Sequence, residues 1–429
     1  MLQPVEVPRR PAKLIPPSSP KVMDTGVAPA PRSRLARAVV GAHRPAAPKL
    51  EAAQQVPATS FRPVLAPKLA ASGWEAQVEE LVATLLPTAA SALAVERLGA
   101  RVRQTVRRLA PEAEVTAFAS GGVLRCSAFG VAVPDVDIVV SCPTEVLASR
   151  LSGKRMDGRQ VQKTALRALA DRLNATGDFK FRRSAFAADE PKVTMLAVDG
   201  ASAVPIDLAV NCSTPLRNAA LITQCGRLDA HARALILLVR RWARDRGICH
   251  AAKGHLPPYC WTLLAVYFLQ AGMEEGDAVL PPLRGLEAIC REAPDGSAAR
   301  AATPSRKTRS VGTLFRDFVA FYGGFDAKRE AVSVRSGRRA APSLRLPLHV
   351  VLREDGVASG VAPSIEDPFE PSRNLAAGMS EHGLARWREE LARAASLLSC
   401  GGEGASLAEL LEPWSPPEQA DAQAEQSLQ

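Results

Sequence analysis

Long apolar runs are missing from this sequence. No segment of 18 or more consecutive apolar residues occurs in the 429 residues, whereas a helix that crosses a bilayer needs about 20. The longest apolar stretches, such as Trp261–Leu269, are too short for that and predict buried helices. At roughly 150 residues per domain, a chain with 47% hydrophobic residues predicts a soluble two-domain protein with tails and no membrane-spanning segment.

Closely spaced cysteine pairs are also missing. The eight cysteines are scattered, without a C-x-x-C pair or a His-rich segment that could complete a zinc site. The pattern therefore predicts neither a zinc site nor a disulfide framework, and it favours a reducing compartment. The cysteines are Cys126, Cys142, Cys212, Cys225, Cys249, Cys260, Cys290 and Cys400.

Each end of the chain lacks charge of one sign. Residues 1–73 contain eleven basic and three acidic residues, whereas residues 401–429 contain six acidic residues and no lysine or arginine. The formal net charge is +10, so the region between the tails is basic as well. A basic folded region favours a polyanionic partner such as nucleic acid, although many basic proteins bind none.

Both ends also lack the apolar periodicity of a folded segment. Residues 1–73 are rich in proline, alanine and arginine and predict a disordered basic tail, and residues 401–429 predict a disordered acidic one. An Arg-rich, acid-poor start is also typical of an organelle transit peptide, although several prolines interrupt the amphipathic helix that such a peptide needs. Cytoplasmic, nuclear and organellar locations, including mitochondria, all stay open.

Between the tails, the first half of the chain has an α+β pattern. Helical spacing from Trp74 to Leu109 is broken once, by Pro87, which predicts two helices. Phe129–Val140 predicts a hairpin whose second strand is Asp137–Val140. The other elements predicted here are a strand at Val115–Phe118, a helix at Gln160–Leu173, and strands at Phe179–Arg182, Val193–Val198 and Val204–Val210.

Helical patterns dominate after Asn211. We therefore predict an α+β domain at residues 74–213 and a mainly helical domain at residues 214–400. Residues 272–310 contain proline, glycine and mixed charge and predict a long insertion. The predicted helices are Asn218–Cys225, Asp229–Arg246, Pro258–Gln270, Val311–Tyr322 and Gly383–Leu398.

The most specific chemical signal is a set of aspartates on apolar strands. The segment P-D-V-D-I-V-V contains Asp135 and Asp137, and V-P-I-D-L-A-V-N contains Asp207. Residues i and i+2 of a strand share a face, so an acid on an adjacent strand could complete a three-carboxylate cluster. An Asp-x-Asp pair also occurs often by chance, in turns or at strand edges. The Val/Ile-rich flanks favour the cluster, because a charge placed there needs a reason.

Such a cluster repels itself unless cations bind. Mg²⁺, or Mn²⁺ in its place, prefers carboxylate oxygens and keeps positions open for phosphate. Two such ions about 4 Å apart can activate an attacking hydroxyl and stabilise a leaving pyrophosphate. The three aspartates therefore predict nucleotidyl transfer.

Several separated motifs resemble the noncanonical poly(A) polymerases and terminal uridylyltransferases of the DNA polymerase β-like nucleotidyltransferase superfamily. The resemblance covers roughly Trp74 to Ser399 and follows the family's motif order. The matching segments are V-T-A-F-A-S-G from Val115, G-V-A-V-P-D-V-D from Gly130, I-D-L-A-V-N from Ile206, R-N-A-A-L-I from Arg217, D-A-H-A-R from Asp229, L-L-V-R-R-W-A-R-D-R-G-I from Leu237, K-G-H-L-P-P-Y from Lys253 and I-E-D-P-F-E-P-S-R-N-L-A from Ile365.

The resemblance implies a polymerase β-like palm, a mixed sheet with helices, beside a helical PAP-associated domain. In the family a Gly-Ser turn that opens a helix holds the nucleotide's phosphates, as helix N-termini favour. Ser120–Gly121 matches by its preceding strand, whereas Ser127 matches by its distance from the acids. We favour Ser120–Gly121. Pro134 stands where the family commonly has a serine before the first acid.

The helical half supplies further matches. Arg240 and Arg244 match the two basic residues that bind the triphosphate, and their i,i+4 spacing places them on one helix face. Tyr259 matches the tyrosine that stacks on the base, and Asn218 matches the asparagine that contacts the ribose. A solvated basic stripe and an ordinary core tyrosine are the alternative interpretations. Pro258 replaces the family's neighbouring serine.

The E-D-P-F-E segment matches the family's base pocket. Arg373 stands where uridylyltransferases often have a histidine, and it could donate to uracil carbonyls or obstruct a purine. Alternatively, it is a surface arginine paired with Glu370. Asp367 could orient the pocket or cap the turn that Pro368 forms.

The resemblance implies transfer of UMP from UTP to an RNA 3′ end, with Asp207 assisting deprotonation of the 3′-hydroxyl. The alternatives are a poly(A) polymerase that uses ATP and a catalytically inactive RNA-binding relative. We expect a monomer, recruited to RNA by its basic surface or by an RNA-binding partner. A basic track for RNA, which could equally be a solvated helix face, comprises Arg150, Lys154, Arg155, Arg159, Lys163 and Arg167.

Overall fold

The fold is described from a computed structural model of the chain. Residues 1–65, 401–405 and 415–429 of the predicted tails lie outside the described residues, as do Lys154, Arg155, Cys126, Cys290, Cys400 and most of the predicted insertion. All described residues belong to one structural unit. They are residues 66–124, 127–128, 131–151, 156–186, 190–199, 202–273, 277–283, 309–341, 346, 348–399 and 406–414.

A five-stranded mixed sheet forms the centre of the first half, with strand order β1-β4-β7-β6-β5. Strands β4 and β7 run parallel, and the other neighbouring pairs are antiparallel. The strands of this sheet are β1 (Glu114–Phe118), β4 (Val136–Ser141), β5 (Phe179–Ala185), β6 (Lys192–Asp199) and β7 (Ser202–Val210), and β2 (Ser127–Ala128) and β3 (Val131–Ala132) form a separate hairpin.

The predicted hairpin at Phe129–Val140 is wrong. Strand β4 pairs with β1 and β7, and the local hairpin is β2–β3. Pro134 cannot donate a ladder hydrogen bond and separates β3 from β4. Strand β4 also buries apolar residues on both faces, which requires a central place in a sheet and not a hairpin edge.

Two helices precede the sheet, as predicted. α1 (Trp74–Leu85) ends before Pro87, and α2 (Ala89–Arg107) begins with a capping box in which Thr88 and Ser91 bond reciprocally. Within the described ranges, residues 74–107 pass a test of length and composition for a membrane-crossing helix. That is weak evidence, because this stretch is two helices and α1 buries its apolar side in a protein core.

The remaining elements include several that the sequence did not reveal. Short α3, strands β8 to β11 and the last helix were missed, because short segments carry too little periodicity. In chain order the elements are α3 (Thr144–Leu151), α4 (Gly158–Ala175), α5 (Thr214–Leu228), α6 (Ala230–Asp245), a 3₁₀ turn (Ala251–Lys253), α7 (Pro258–Ala271), α8 (Val311–Gly323), β8 (Ala331–Val332), β9 (His349–Leu352), β10 (Ala358–Ala362), β11 (Ser364–Ile365), α9 (Glu381–Ser399) and α10 (Leu407–Leu410).

Two hydrophobic cores organise these elements. The first joins the five-stranded sheet to α2, α3 and α4. The second is helical, and α1 belongs to it although α1 precedes the sheet in the chain. At its centre, the ring of Trp242 on α6 meets Trp261 on α7 and Phe315 on α8 edge to face. The α+β fold class is confirmed.

Candidate active site

Two of the predicted acids face each other across the centre of the sheet. Asp137 on β4 and Asp207 on β7 are direct register partners in the parallel pair. Their neighbours Val136, Ile138 and Ile206 point into the sheet core, so alternation places both aspartates on the opposite face. Asp207 is only 5% exposed. The fold therefore brings two carboxylates together from segments 70 residues apart.

Asp135 reaches the same site by a different route. It lies in a bend before β4, so strand alternation with Asp137 does not place it, contrary to the expectation. Its Oδ2 accepts a hydrogen bond from the backbone N–H of Leu124 at 3.0 Å, and its Oδ1 accepts one from Nη1 of Arg244 at 2.8 Å. Its placement follows from a loop contact and an ion pair.

The acids act on one another electrostatically. Burial, followed by the neighbouring charge of Asp207, raises the pKa of Asp137 to about 6. Lys192 and Arg240 oppose that shift, and the charge of Asp135 adds to it. Burial and the charge of Arg244 lower the pKa of Arg240. Like charges packed this closely favour protonation or a bound cation.

Basic side chains partly neutralise the negative charge of these aspartates. Nζ of Lys192 binds Oδ2 of Asp207, and Oγ1 of Thr194 donates to Oδ1 of Asp207 at 2.6 Å. Over the described ranges, no three metal-ligating side chains form a ready-made metal group. The donor chemistry still suits a hard divalent cation, because Asp137 is the register partner of Asp207 and lines a cleft together with Asp135. Metal binding would require Lys192 and Arg244 to release their acids.

A cleft above the acids is walled by both cores. The sheet side contributes Ser120, Gly121 and the two acids of the D-V-D segment, and the helical side contributes α1 and α6. The residues that line it are Leu85, Ser120, Gly121, Gly122, Leu124, Pro134, Asp135, Asp137, Leu237, Arg240, Arg241 and Arg244. Arg240 and Arg244 thus lie on one wall of the cleft, on the helix face that their spacing predicts.

The Ser120–Gly121 turn approaches α1 and α6 closely. A Cβ atom at Gly121 would lie 2.9 Å from the carbonyl oxygen of Leu85 and 3.0 Å from Leu237 Cδ2. The next residue, Gly122, donates its N–H to that same carbonyl at 2.7 Å. These contacts explain the glycine at position 121.

The structure bears on two expectations about this turn: the role of Ser127 and the helix expected to follow Ser120–Gly121. Ser127 lies on β2, and its side chain is outside the described part of the chain. In the described ranges the turn leads into the β2–β3 hairpin and opens no helix. The expected helix N-terminus is therefore wrong here, and backbone N–H groups of the turn itself remain for phosphate binding.

Tyr259 and Asn218 are both buried in the helical half. Tyr259 lies at the start of α7, is 6% exposed and packs within the helical core. That placement supports the core interpretation. Asn218 on α5 is 7% exposed, and its Oδ1 has no hydrogen-bond partner among the described residues. A buried carbonyl of this kind is suited to accept a bond from a ligand hydroxyl.

The predicted base-pocket residues form a local network. Asp367 accepts the N–H of Phe369 at 2.9 Å, which is the turn-capping role. Burial raises the pKa of Asp367. Arg373 pairs with Asp367 at 3.3 Å, whereas Glu370 pairs with Arg217 at 3.4 Å. The alternative pairing of Arg373 with Glu370 is wrong, because the turn places the Asp367 carboxylate nearer to the guanidinium.

The described part of the basic track lies on α3 and α4. Arg150 pairs with Glu112 at 2.5 Å. Arg159, Lys163 and Arg167 follow at i,i+4 spacing on α4, and Arg167 covers the ring of Phe186. Two of its charges are therefore partly occupied within the protein.

Sequence reasoning missed three polar neighbours of the acids. Lys192 and Thr194 alternate with the core residues of β6, and Nε of Arg183 donates to Thr194 Oγ1 at 3.2 Å. Nη1 of Arg183 also lies 2.7 Å from Nε2 of His250. Polar residues at alternate positions of an apolar strand were the available signal.

Comparisons with known proteins agree with this arrangement. The mitochondrial poly(A) RNA polymerase of Mus musculus is 24% identical over 222 residues, which make up 48% of this chain and 34% of that protein. The terminal uridylyltransferase cid1 of Schizosaccharomyces pombe is 26% identical over 318 residues, 70% of this chain and 72% of that protein. The chain thus spans about a third of the length of the mitochondrial relatives that it matches.

Solved structures show the same fold. A structure of Cid1 has a TM-score of 0.55 at 22% identity and covers 79% of this chain and 97% of that one. A structure of mtPAP in complex with ATPγS has a TM-score of 0.61 at 21% identity and covers 80% of this chain and 74% of that one. No protein-family model matches.

The chain is therefore similar in sequence to poly(A) RNA polymerases and to a terminal uridylyltransferase, and it shares the fold of the solved Cid1 and mtPAP structures.

Proposed function

We propose that this chain is a template-independent RNA 3′-terminal nucleotidyltransferase that adds UMP from UTP. The observation that carries the proposal is the register pairing of Asp137 with Asp207, next to a cleft that Asp135, Asp137 and the partly buried Arg240 and Arg244 line. Carboxylates gathered beside phosphate-binding bases match the needs of nucleotidyl transfer, since the metal and the triphosphate require both.

The chain's own residues position the substrates. The backbone of Ser120 and Gly121, together with Arg240 and Arg244, binds the triphosphate. In the reaction the RNA 3′-oxygen forms a bond to the α-phosphorus, and the bond from that phosphorus to the bridging oxygen of the pyrophosphate breaks. Asp207 accepts the proton of the 3′-hydroxyl, and the arginines balance the charge of the departing pyrophosphate.

Asp135, Asp137 and Asp207 would hold Mg²⁺ or Mn²⁺, and we propose two ions. Such ions supply Lewis acidity at the attacking and leaving oxygens. Structures of the relative Cid1 contain MgATP or MgGTP. Arg244 now binds Asp135, so nucleotide binding would draw it from the acid to the phosphates.

Asn218, Asp367, Glu370 and Arg373 complete the proposed nucleotide site, with Asn218 at the ribose. UTP is proposed because the segment after Arg373 resembles uridylyltransferases. ATP is the alternative, since relatives that share 24% and 25% identity are named poly(A) RNA polymerases. Arg373 is paired with Asp367, and we propose that the guanidinium group also donates to uracil carbonyl oxygens.

The selectivity assay decides between these alternatives. Purified protein is incubated with a labelled RNA oligonucleotide, Mg²⁺ and one NTP at a time, and 3′ extension is resolved on a gel. We expect extension with UTP at least about tenfold faster than with ATP, since one misplaced hydrogen-bonding edge costs that much or more. Faster extension with ATP would contradict the uridylyl assignment and leave the transferase assignment intact.

Asp137→Asn tests the chemistry itself. It keeps the size of the side chain but removes a ligand charge, and we expect extension to fall by at least about 10³-fold. Asp171→Asn, on the solvent side of α4, is the matched control and should retain full activity. Unchanged extension by the Asp137 variant would show that the assignment of the acids is wrong, whereas no extension by the wild type with any NTP would support an inactive RNA-binding relative.

We propose that a monomer binds the RNA 3′ end through the basic track on α3 and α4 and through the basic N-terminal segment. Relatives include mitochondrial and speckle-targeted poly(A) polymerases. We propose a cytoplasmic, nuclear or mitochondrial location.

A further inference from the structure

Lys192 holds the third acid from the neighbouring strand. It begins β6, and its Nζ binds Oδ2 of Asp207 on β7. Thr194, two residues further along the same strand face, donates to Oδ1 at 2.6 Å. Both oxygens of this carboxylate are therefore bound by side chains of β6, and Lys192 alone supplies charge.

The positive charge of Lys192 lies beside the pair of buried carboxylates. Asp207 is the register partner of Asp137, and a buried carboxylate beside a second one is costly without a counter-charge. A lysine side chain is charged at neutral pH, so the contact of Lys192 with Asp207 brings a positive charge to the acid pair.

We propose that Lys192 is an internal counter-cation, which stabilises the Asp137–Asp207 pair in the metal-free protein and competes with a divalent cation for Asp207. This inference rests on the proposed function, because it takes Asp207 as a metal ligand. The side chain of Lys192 is 43% exposed, whereas that of Asp207 is 6% exposed. The ammonium group can therefore move into solvent when a metal replaces it, as long lysine stems allow.

The competition has two measurable consequences. Removing the charge should tighten divalent-cation binding, because the metal no longer displaces an ammonium group. It should also lower stability without metal, because Asp207 is left buried without its counter-charge. An ordinary structural lysine would change stability alone and would leave metal affinity unchanged.

The test uses the full chain without RNA or nucleotide. Mn²⁺ affinity is measured by electron paramagnetic resonance, and Tm is measured in a metal chelator. We expect Lys192→Met to bind Mn²⁺ about tenfold more tightly, since one adjacent charge shifts ion affinity by about this much or more, and to melt at a lower temperature in chelator. Lys192→Arg keeps the charge and should resemble the wild type. Lys180→Met, an exposed lysine on β5, is the matched control.

Unchanged Mn²⁺ affinity in Lys192→Met would overturn the inference. Asp207→Asn separates this failure from failure of the proposed function: if it binds Mn²⁺ as tightly as the wild type, Asp207 is not a ligand and the proposed site itself is wrong. If Lys192→Met does not fold, amine labelling of the wild-type protein is used in place of the variant. Mass spectrometry should then show faster modification of Lys192 with Mg²⁺ present than in chelator. An equal rate would contradict competition between Lys192 and the metal for Asp207.

Discussion

Asp135 shows how a single residue can be placed by contacts that no local pattern contains. Its two oxygens are held by the N–H of Leu124 and by Arg244, which is 109 residues away in the chain. The sequence spacing correctly predicted that Asp135 and Asp137 share one cleft, but the reason given, alternation along one strand, was wrong. A bend after Pro134, and not strand alternation, turns the side chain towards the site.

His255 gives a prediction at the residue scale. It is buried against His382, with ring centroids 5.4 Å apart. Burial, followed by the charges of His382, Arg386 and His250, lowers the pKa of His255 to about 4. The unfolded chain then binds more protons than the folded one between pH 6.5 and 4, so stability falls as pH falls through this window.

The matched experiment compares the wild type with His255→Gln. Urea unfolding at pH 7.5 and pH 5 should show that the wild type loses on the order of 2 kcal/mol more than the variant, at about 1.4 kcal/mol for each pKa unit. Asp137, whose raised pKa acts in the opposite direction, is common to both proteins and cancels. Equal losses would show that His255 is protonated in the folded state.

At the scale of elements, α6 and α9 are joined by a buried ionic network around Glu390. Arg246, at the end of α6, contacts Oε1 of Glu390 at 3.0 Å, and Arg393 contacts the same oxygen at 2.9 Å. Arg386 adds a longer contact to Oε2 at 3.6 Å. The side chain of Glu390 is fully buried, so the three arginines supply the charge that it requires.

Glu390→Gln should therefore be strongly destabilising. Loss of the carboxylate leaves Arg246 buried without its counter-charge, and we expect a decrease of about 3 kcal/mol in the free energy of unfolding. Glu389→Gln is the matched control: Glu389 is 67% exposed and pairs with Arg386 on the surface, so its effect should stay within about 1 kcal/mol. Chemical denaturation of both variants is the measurement, and similar losses would contradict the buried-network interpretation.

At the scale of the whole molecule, the cleft exists only because two cores meet. Asp137 and Asp207 lie on strands of the central sheet and Asp135 lies just before one of them, whereas Arg240 and Arg244 lie on α6 of the helical half. α1 crosses from the start of the chain into the helical core, and its Leu85 carbonyl receives the N–H of Gly122. The Ser120–Gly121 turn is thus fixed against the helical half.

The basic N-terminal segment yields a prediction at this scale. Residues 1–65 contain ten basic and three acidic residues. A variant that begins at residue 66 should bind single-stranded RNA more weakly and with a shallower dependence on salt, because each lost phosphate contact reduces the log–log slope by about 0.7. Its activity on saturating RNA should be retained. Fluorescence anisotropy at several salt concentrations measures the slope, and an unchanged slope would exclude the segment from RNA binding.

The sequence by itself determined the composition of the site. The apolar strands around Asp137 and Asp207, the i,i+4 arginines of α6 and the helices of the second half were all predicted from spacing, because periodicity and burial act locally. The family motifs extended this to the fold class. Short elements such as β8 and α10 were not predicted, since a segment of two to four residues is too short to show a hydrophobic period.

Only the tertiary structure decided which side chains neutralise the acids. Register pairing placed Lys192 beside Asp207, and the meeting of the two cores placed Arg244 beside Asp135. It also tied Arg373 to Asp367 and placed Tyr259 in the helical core. Electrostatic energy depends on distance in space and on burial, and neither quantity can be read from positions along the chain.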